Sequence, residues 1–110
     1  MSGIPLTELA EVVRSKNAGP YELTLDIIFR DEEGFALARR SGVFTPALFA
    51  RLYRIPEERV LSVVEFPAAR AIKATIVRPL ASGDPGDPDV YGAQQHAPLL
   101  EIVVPCDEEG

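Results

Sequence analysis

The stretch Tyr21–Phe29 constrains the fold of this chain more than any other part of its sequence. An apolar side chain stands at every second position, whereas three of the four positions between them are polar. In an extended strand successive side chains point to opposite faces, so this two-residue period places one face on a core. The pattern predicts a strand, with Asp26 on the face turned toward solvent.

Helical spacing, capping residues and β-rich runs predict the other elements. The expected elements are a helix over Pro5–Val13, a helix from Asp31 to about Arg40 ended by Gly42, a helix begun by Thr45 and Pro46, and strands over Val60–Phe66, Ala71–Val77 and Leu99–Val104. Gly and Pro punctuate residues 81–98 and leave them without periodicity, which is typical of a long functional loop.

The order of these elements predicts an α+β fold. It matches a ferredoxin-like βαββ(α)β sandwich, with helices on one face of a four-stranded, mainly antiparallel sheet. The long loop takes the place of the second helix. The length of 110 residues suits one domain over residues 1–110, ending in an acidic tail at 106–110.

Charge and composition exclude several function classes. Eleven Lys and Arg are scattered among seventeen acids, for a net charge of −6, whereas a nucleic-acid binder needs a basic stripe. Charges interrupt every apolar run before the ~18 residues of a membrane span. The single Cys106 cannot form an internal disulfide, which favours a cytoplasmic protein.

The first candidate site is the turn expected at residues 15–20. Lys16 supplies a cation, Ser15 and Asn17 supply hydrogen-bonding groups, and Gly19 allows a ligand to approach the backbone. Such a turn can hold a carboxylate or a phosphate. The alternative is a helix C-terminus with Lys16 near its negative end.

The second candidate site is the polar end of the long loop, where Asp89, Tyr91, Gln94, Gln95 and His96 cluster. The ordinary pKa of a histidine lies near neutral pH, so His96 could act as a general acid or base, oriented by an aspartate. The alternative is a surface histidine bonded to a backbone carbonyl.

Metal and thiol chemistry are not expected from this sequence. Asp84, Asp87 and Asp89 do not fit the spacing of an EF-hand, and one His with one Cys is too few for zinc. Acids beside Cys106 disfavour a thiolate. The expectation is therefore no metal and no cofactor. Separately, Arg70 and Lys73 are expected either to be solvated or to pair with acids or an anionic ligand.

Two segments carry a resemblance to a known family. They are Leu6–Tyr21, with Arg14-Ser15-Lys16-Asn17-Ala18-Gly19-Pro20, and Asp89–Leu100, with Tyr91-Gly92-Ala93-Gln94-Gln95-His96. The chain resembles, from about Leu6 to Pro105, a small bacterial family of unknown function related to the ferredoxin-fold C-terminal domain of AtuA-like (acyclic terpene utilisation) proteins. Those tails have a lysine after the glycine of the second segment, where this chain has Ala93.

The resemblance implies a small subunit that works with an AtuA-like large subunit, as a lyase or hydratase acting on a carboxylic acid or acyl-CoA in catabolism. Any enzyme activity is then expected only in that complex. Lys16, His96 and Tyr91 would be catalytic, and Ser15, Asn17, Gly19, Asp89, Gln94 and Gln95 would bind substrate. This reading requires the Lys16 turn and His96 to meet at one end of the sheet.

Two other functions remain open at this stage. The chain could be a non-catalytic module that binds a ligand or regulates a partner. It could also be a purely structural partner whose polar loops are ordered by subunit contact. Small domains of this kind pair through their sheets or helices, so a homo-oligomer is an alternative assembly.

Overall fold

The computed structural model describes residues 2–19, 21–77 and 97–106. In chain order the elements are β1 (Ser2–Pro5), α1 (Leu6–Leu9), β2 (Ala10–Asn17), β3 (Glu22–Phe29), α2 (Glu32–Ser41), α3 (Pro46–Tyr53), β4 (Val60–Phe66), β5 (Ala71–Val77) and β6 (Val103–Cys106). Short 3₁₀ turns occupy Glu57–Arg59, Pro67–Ala69 and Ala97–Glu101. Within the described residues, no helix has the length and apolar character that crossing a membrane requires.

The main sheet has four antiparallel strands in the order β2-β3-β5-β4. The predicted alternation of β3 is confirmed, because Leu23, Leu25, Ile27 and Phe29 are almost fully buried while the residues between them are not. β3 and β4 both run antiparallel to β5, so they run in the same direction with β5 between them. Helices α2 and α3 form the crossover that joins them.

Both predicted helices after β3 are confirmed, and their capping residues explain where they begin and end. The Asp31 carboxylate accepts a hydrogen bond from the Gly34 amide at 2.8 Å, and α2 ends at Gly42, whose φ is 69°. At α3 the Thr45 hydroxyl accepts from the Leu48 amide at 3.2 Å. These bonds satisfy amides that the first helical turn leaves unpaired.

The predicted helix over Pro5–Val13 is wrong beyond its first turn. Only Leu6–Leu9 is helical, and the chain continues as β2 along the edge of the main sheet. Ala10, Val13 and Ser15 face the helix layer, whereas Arg14 and Lys16 face the other way. Pairing with β3 overrides the helical spacing, because tertiary contacts outweigh weak local propensity.

The predicted strand over Leu99–Val104 is also corrected. Ala97–Glu101 forms a 3₁₀ turn, and the strand that follows, β6, pairs antiparallel with β1 in a separate two-stranded sheet. The fourth strand of the main sheet is therefore β2. The α+β architecture with a four-stranded antiparallel sheet is as expected. However, the strand beside β3 at the sheet edge is β2, from the N-terminal part of the chain, and not the C-terminal strand.

One hydrophobic core joins the two sheets and the helices. Phe29 makes edge-on contacts with Phe35 and Phe44, with ring centroids 6.0 and 6.2 Å apart. From the terminal elements, Leu6 and Val104 are fully buried in the same core. The terminal sheet is thus part of the folded unit, with β6 against α2. Most of the predicted long loop and tail, residues 81–96 and 107–110, lies outside the described residues.

Candidate functional site

The residues expected to form the first loop belong partly to a strand. They make up the last positions of strand β2 and the start of the turn that follows it. Ser15, Lys16 and Asn17 are paired with β3, so they are not in a loop. Ala18 donates a backbone hydrogen bond to the Glu22 carbonyl at 2.9 Å and thereby closes the turn, in which Gly19 is half-buried. The polar groups are therefore held on a regular strand at the end of the sheet.

Strand geometry separates the side chains of these neighbouring residues. Ser15 is 8% exposed and lies opposite Leu25 on the helix-covered face, and Asn17 is on the same face. Lys16 is exposed on the other face, opposite Thr24. A ligand that touches both Lys16 and Asn17 would have to lie across the end of the sheet, because adjacent strand residues point to opposite faces.

The second group of predicted site residues lies outside the part of the chain that is described. It comprises Asp89, Tyr91, Gln94, Gln95 and His96. The described residues on either side of this stretch bear on the expected meeting with Lys16. Val77 pairs with Glu22, next to the turn that follows Lys16, whereas the Ala97–Glu101 turn packs against α1 and α3.

Helix α1 adjoins the opposite end of β2 from Lys16. Lys16 lies six positions along the strand from Ala10, which is about 20 Å at ~3.3 Å per residue. The chain therefore leaves the sheet at the Lys16 end and returns through a turn that contacts the α1 end. The expectation that Lys16 and His96 share one cleft stays a prediction.

The face of the sheet opposite the helices has a charged row across its strands. Arg14 Nε lies 3.1 Å from Asp26 Oδ2, and the Asp26 side chain is only 18% exposed. Lys73 stands opposite Asp26 on β5, with its Nζ 5.8 Å from the centroid of the Phe66 ring. Asp26 is on the expected face, but its partner Arg14 and its low exposure make it a structural carboxylate.

Strand β4 presents a surface that the sequence reading missed. Leu61, Val64 and Phe66 are 51%, 41% and 43% exposed, although large apolar residues are usually buried. β4 forms one edge of the main sheet, and within the described residues it pairs only with β5. The signal available in the sequence was a run of apolar residues on both faces of one strand.

A groove of about 480 Å³ runs beside this edge on the helix side. Its lining residues come from the start of α3 and from the two neighbouring strands: Phe44, Thr45, Pro46, Val63, Val64, Glu65 and Ile72. Glu65 is the only charged residue among them, and its carboxylate lies 3.0 Å from Arg39 Nε. Five of the seven lining residues are thus apolar, and the one carboxylate is paired with an arginine.

The family model described as "Domain of unknown function (DUF4387)" matches residues 6–103. This chain belongs to that family. The match covers nearly all of the described DUF4387 fold, from α1 to the start of β6. No curated protein and no solved structure matches the chain.

In the described part of this DUF4387 domain, one titratable group is clearly perturbed. Partial burial at the end of α3 raises the pKa of the Tyr53 hydroxyl well above its ordinary value of 10.0. That phenol stays protonated at neutral pH, so it can donate a hydrogen bond but cannot act as a base. Within residues 2–19, 21–77 and 97–106, no three acids, histidines or cysteines cluster as metal ligands would.

Proposed function

We propose that this DUF4387 chain is the small subunit of a heteromeric lyase or hydratase whose large subunit is AtuA-like. The substrate is a carboxylic acid or its coenzyme A ester. The proposal rests on the resemblance of the Ser15–Gly19 and Asp89–Leu100 segments to the C-terminal domain of AtuA-like proteins. In this proposal the chain is a stand-alone counterpart of that domain.

The observation that carries the subunit role is the amount of exposed apolar surface. Among the described residues, six large apolar side chains are between 41% and 55% exposed, namely Tyr21, Leu61, Val64, Phe66, Leu100 and Val103. Three of them lie on β4, with Val64 and Phe66 on the same face. Clustered apolar exposure of this kind marks protein–protein contact sites, so a partner subunit accounts for the three on β4.

The topology of the sheet supports a relation to ferredoxin-like domains. A helical crossover between two parallel strands with a third strand inserted between them is the split βαβ unit of that fold. Here β3, the α2–α3 pair, β4 and β5 form this unit. The fourth position belongs to β2, which lies antiparallel to β3 as the last ferredoxin strand would, and this supports a rearranged ferredoxin-like arrangement.

The substrate-binding group of the proposal is centred on the end of β2. Lys16 provides the cation for a carboxylate or thioester oxygen, with Ser15, Asn17 and Gly19 beside it. His96, together with Tyr91 or Asp89, transfers the proton, and Gln94 and Gln95 hold the substrate. Because Lys16 and Asn17 point to opposite faces, the substrate lies across the sheet end, where the large subunit covers it.

The test is to express this chain with an AtuA-like large subunit and to assay the purified complex for dehydration or hydration of acyl-CoA substrates. Each protein alone should be inactive. His96→Ala should lower kcat by about 10²–10⁴-fold, the usual contribution of a placed proton donor or acceptor, and Lys16→Ala should mainly raise KM.

Lys73→Ala is the matched control for Lys16, since Lys73 is the other lysine on the same face of the sheet. At saturating large subunit it should leave turnover unchanged. An unchanged kcat for His96→Ala together with an unchanged KM for Lys16→Ala would rule out their proposed roles. A stable complex without any turnover on the substrates would instead favour the non-catalytic regulatory module.

A further inference from the structure

We infer that β4 is the docking edge of this domain and that a strand of the large subunit adds to it. The inference rests on the proposed function for the identity of the partner. The occupant is an extended segment with apolar side chains at alternate positions and a basic residue at the end that meets Glu57 and Glu58. Added strands of this kind bind through main-chain hydrogen bonds, and pockets for alternate side chains give specificity.

The two edges of the main sheet differ in a way that points to β4. An exposed edge offers unpaired N–H and C=O groups, and proteins block unwanted pairing with charges and bulges. Both edge strands have one bulge, so charge is what distinguishes them. The β2 edge has Glu11, Arg14 and Lys16 within eight residues. The β4 edge has a single charged residue, Glu65, and Arg39 already pairs with it at 3.0 Å.

Each face of an added strand would meet a different apolar surface. On the face away from the helices, Val64 and Phe66 are exposed and extend the sheet surface. On the helix side, the groove between β4 and the start of α3 accepts the alternate side chains, with Phe44, Pro46 and Val63 in its lining. Main-chain pairing and side-chain burial are thus available at the same edge.

Charge favours a basic segment as the occupant. The turn before β4 exposes Glu57, Glu58 and Arg59, so two carboxylates there face one guanidinium. The whole chain has a net charge of −6. A lysine or arginine at the matching end of the added strand would lie near the two carboxylates.

A second copy of the chain fits the edge less well. Consider two copies whose β4 strands pair antiparallel, with both helix layers on the same side of the joined sheet. In the register centred on Val64, Glu65 of one copy lies opposite Val63 of the other. Centred on Glu65, the pair sets two carboxylates opposite each other. Centred on Val63, it sets the bulge at Leu61 against Glu65. Two copies of a chain with net charge −6 also repel each other.

The experiment uses the full chain and the co-expressed AtuA-like large subunit, with the affinity of the complex and amide hydrogen exchange as its two measurements. Val64→Lys places a charge on the docking edge and should weaken the complex about tenfold or more, as loss of a central interface residue does. Val103→Lys is the matched control, because Val103 is another exposed strand valine, 53% exposed, away from β4. It should leave the affinity unchanged.

Hydrogen exchange reads the main-chain pairing directly. Amides of residues 60–66 should gain protection in the complex, whereas those of residues 11–17 on the other edge should not. A complex that protects other residues and tolerates Val64→Lys overturns the docking edge and leaves the proposed function standing. Failure of the two chains to associate overturns both. A homodimer of this chain that protects residues 60–66 and excludes the large subunit overturns the heteromeric occupant.

Discussion

Tyr53, the last residue of α3, shows how a single side chain ties the stability of this domain to pH. Its ring packs against the core, and burial holds the pKa of its hydroxyl above the ordinary value of 10.0. In the unfolded chain the same hydroxyl ionises near that ordinary value. Above pH 10 the unfolded state therefore binds fewer protons than the folded state.

We expect the free energy of unfolding to be unaffected by Tyr53 below pH 10 and to fall as the pH rises above it. The loss contributed by this residue should reach at most about 1.4 kcal/mol per pH unit. Tyr53→Phe should flatten the decline, as measured by urea unfolding at a series of alkaline pH values. Tyr21→Phe is the control, because Tyr21 is 55% exposed, and an equal flattening there would contradict the explanation.

At the scale of elements, the ends of the helices depend on particular backbone conformations. Gly42 ends α2 with a φ of 69°, in the left-handed region that side chains disfavour. Gly19 lies in the β2–β3 turn without a left-handed φ, and no atom of the described residues lies within 4 Å of the place where a Cβ would be added. The two glycines thus differ in backbone conformation alone.

Gly42→Ala should lower the free energy of unfolding by about 1 kcal/mol, because alanine is strained in the left-handed region. Gly19→Ala should be neutral or should raise stability by about 0.4–1 kcal/mol by restricting the unfolded chain. Urea unfolding of the two variants measures the difference. An equal loss of stability in the two variants would show that strain in the left-handed region does not explain the effect of Gly42→Ala.

Elements whose signals are local were predictable from the sequence, and the strand β2 shows why others were not. The alternation of β3 and the caps Asp31 and Thr45 act within a few residues, so the sequence displays them. In β2, Ser15 is on the buried face and Val12 on the other. This mixture hides the two-residue period, and the spacing of the apolar residues then imitates a helix.

The candidate site was predictable in its residue types but less so in its geometry. The end of β2 has Ser15, Lys16 and Asn17 as singled out, yet the strand directs Lys16 away from the other two. The β4 surface went unrecognised because an apolar run does not tell an edge strand from a central one. The order of strands depends on pairing across the whole chain, for which no local signal exists.

At the scale of the whole molecule, the terminal sheet and the main sheet depend on one core. Leu6 and Val104 are fully buried in it, and the Leu6 amide donates to the Ile102 carbonyl at 2.9 Å. A domain of this size normally unfolds in a single cooperative transition. Damage to β6 should therefore be detected at β3, on the other side of the core.

Val104→Ala should lower the free energy of unfolding by about 2 kcal/mol, since it leaves a cavity in the shared core. Val103→Ala is the matched neighbour, 53% exposed, and should cost close to nothing. For both variants, urea unfolding measures the global stability, and hydrogen exchange of the β3 amides measures the stability at β3. If β3 kept its stability in the Val104 variant, the terminal sheet would be a separate unit that unfolds independently.

The pairing of β1 with β6 brings the first and last described residues side by side, with Ser2 opposite Cys106. Facing residues on antiparallel strands have Cα atoms roughly 4.5–5.5 Å apart. A short linker would therefore span the gap, and the domain could be circularly permuted or inserted into a surface loop of a host protein without stretching either. Labels attached at residues 2 and 106 would report from the same location.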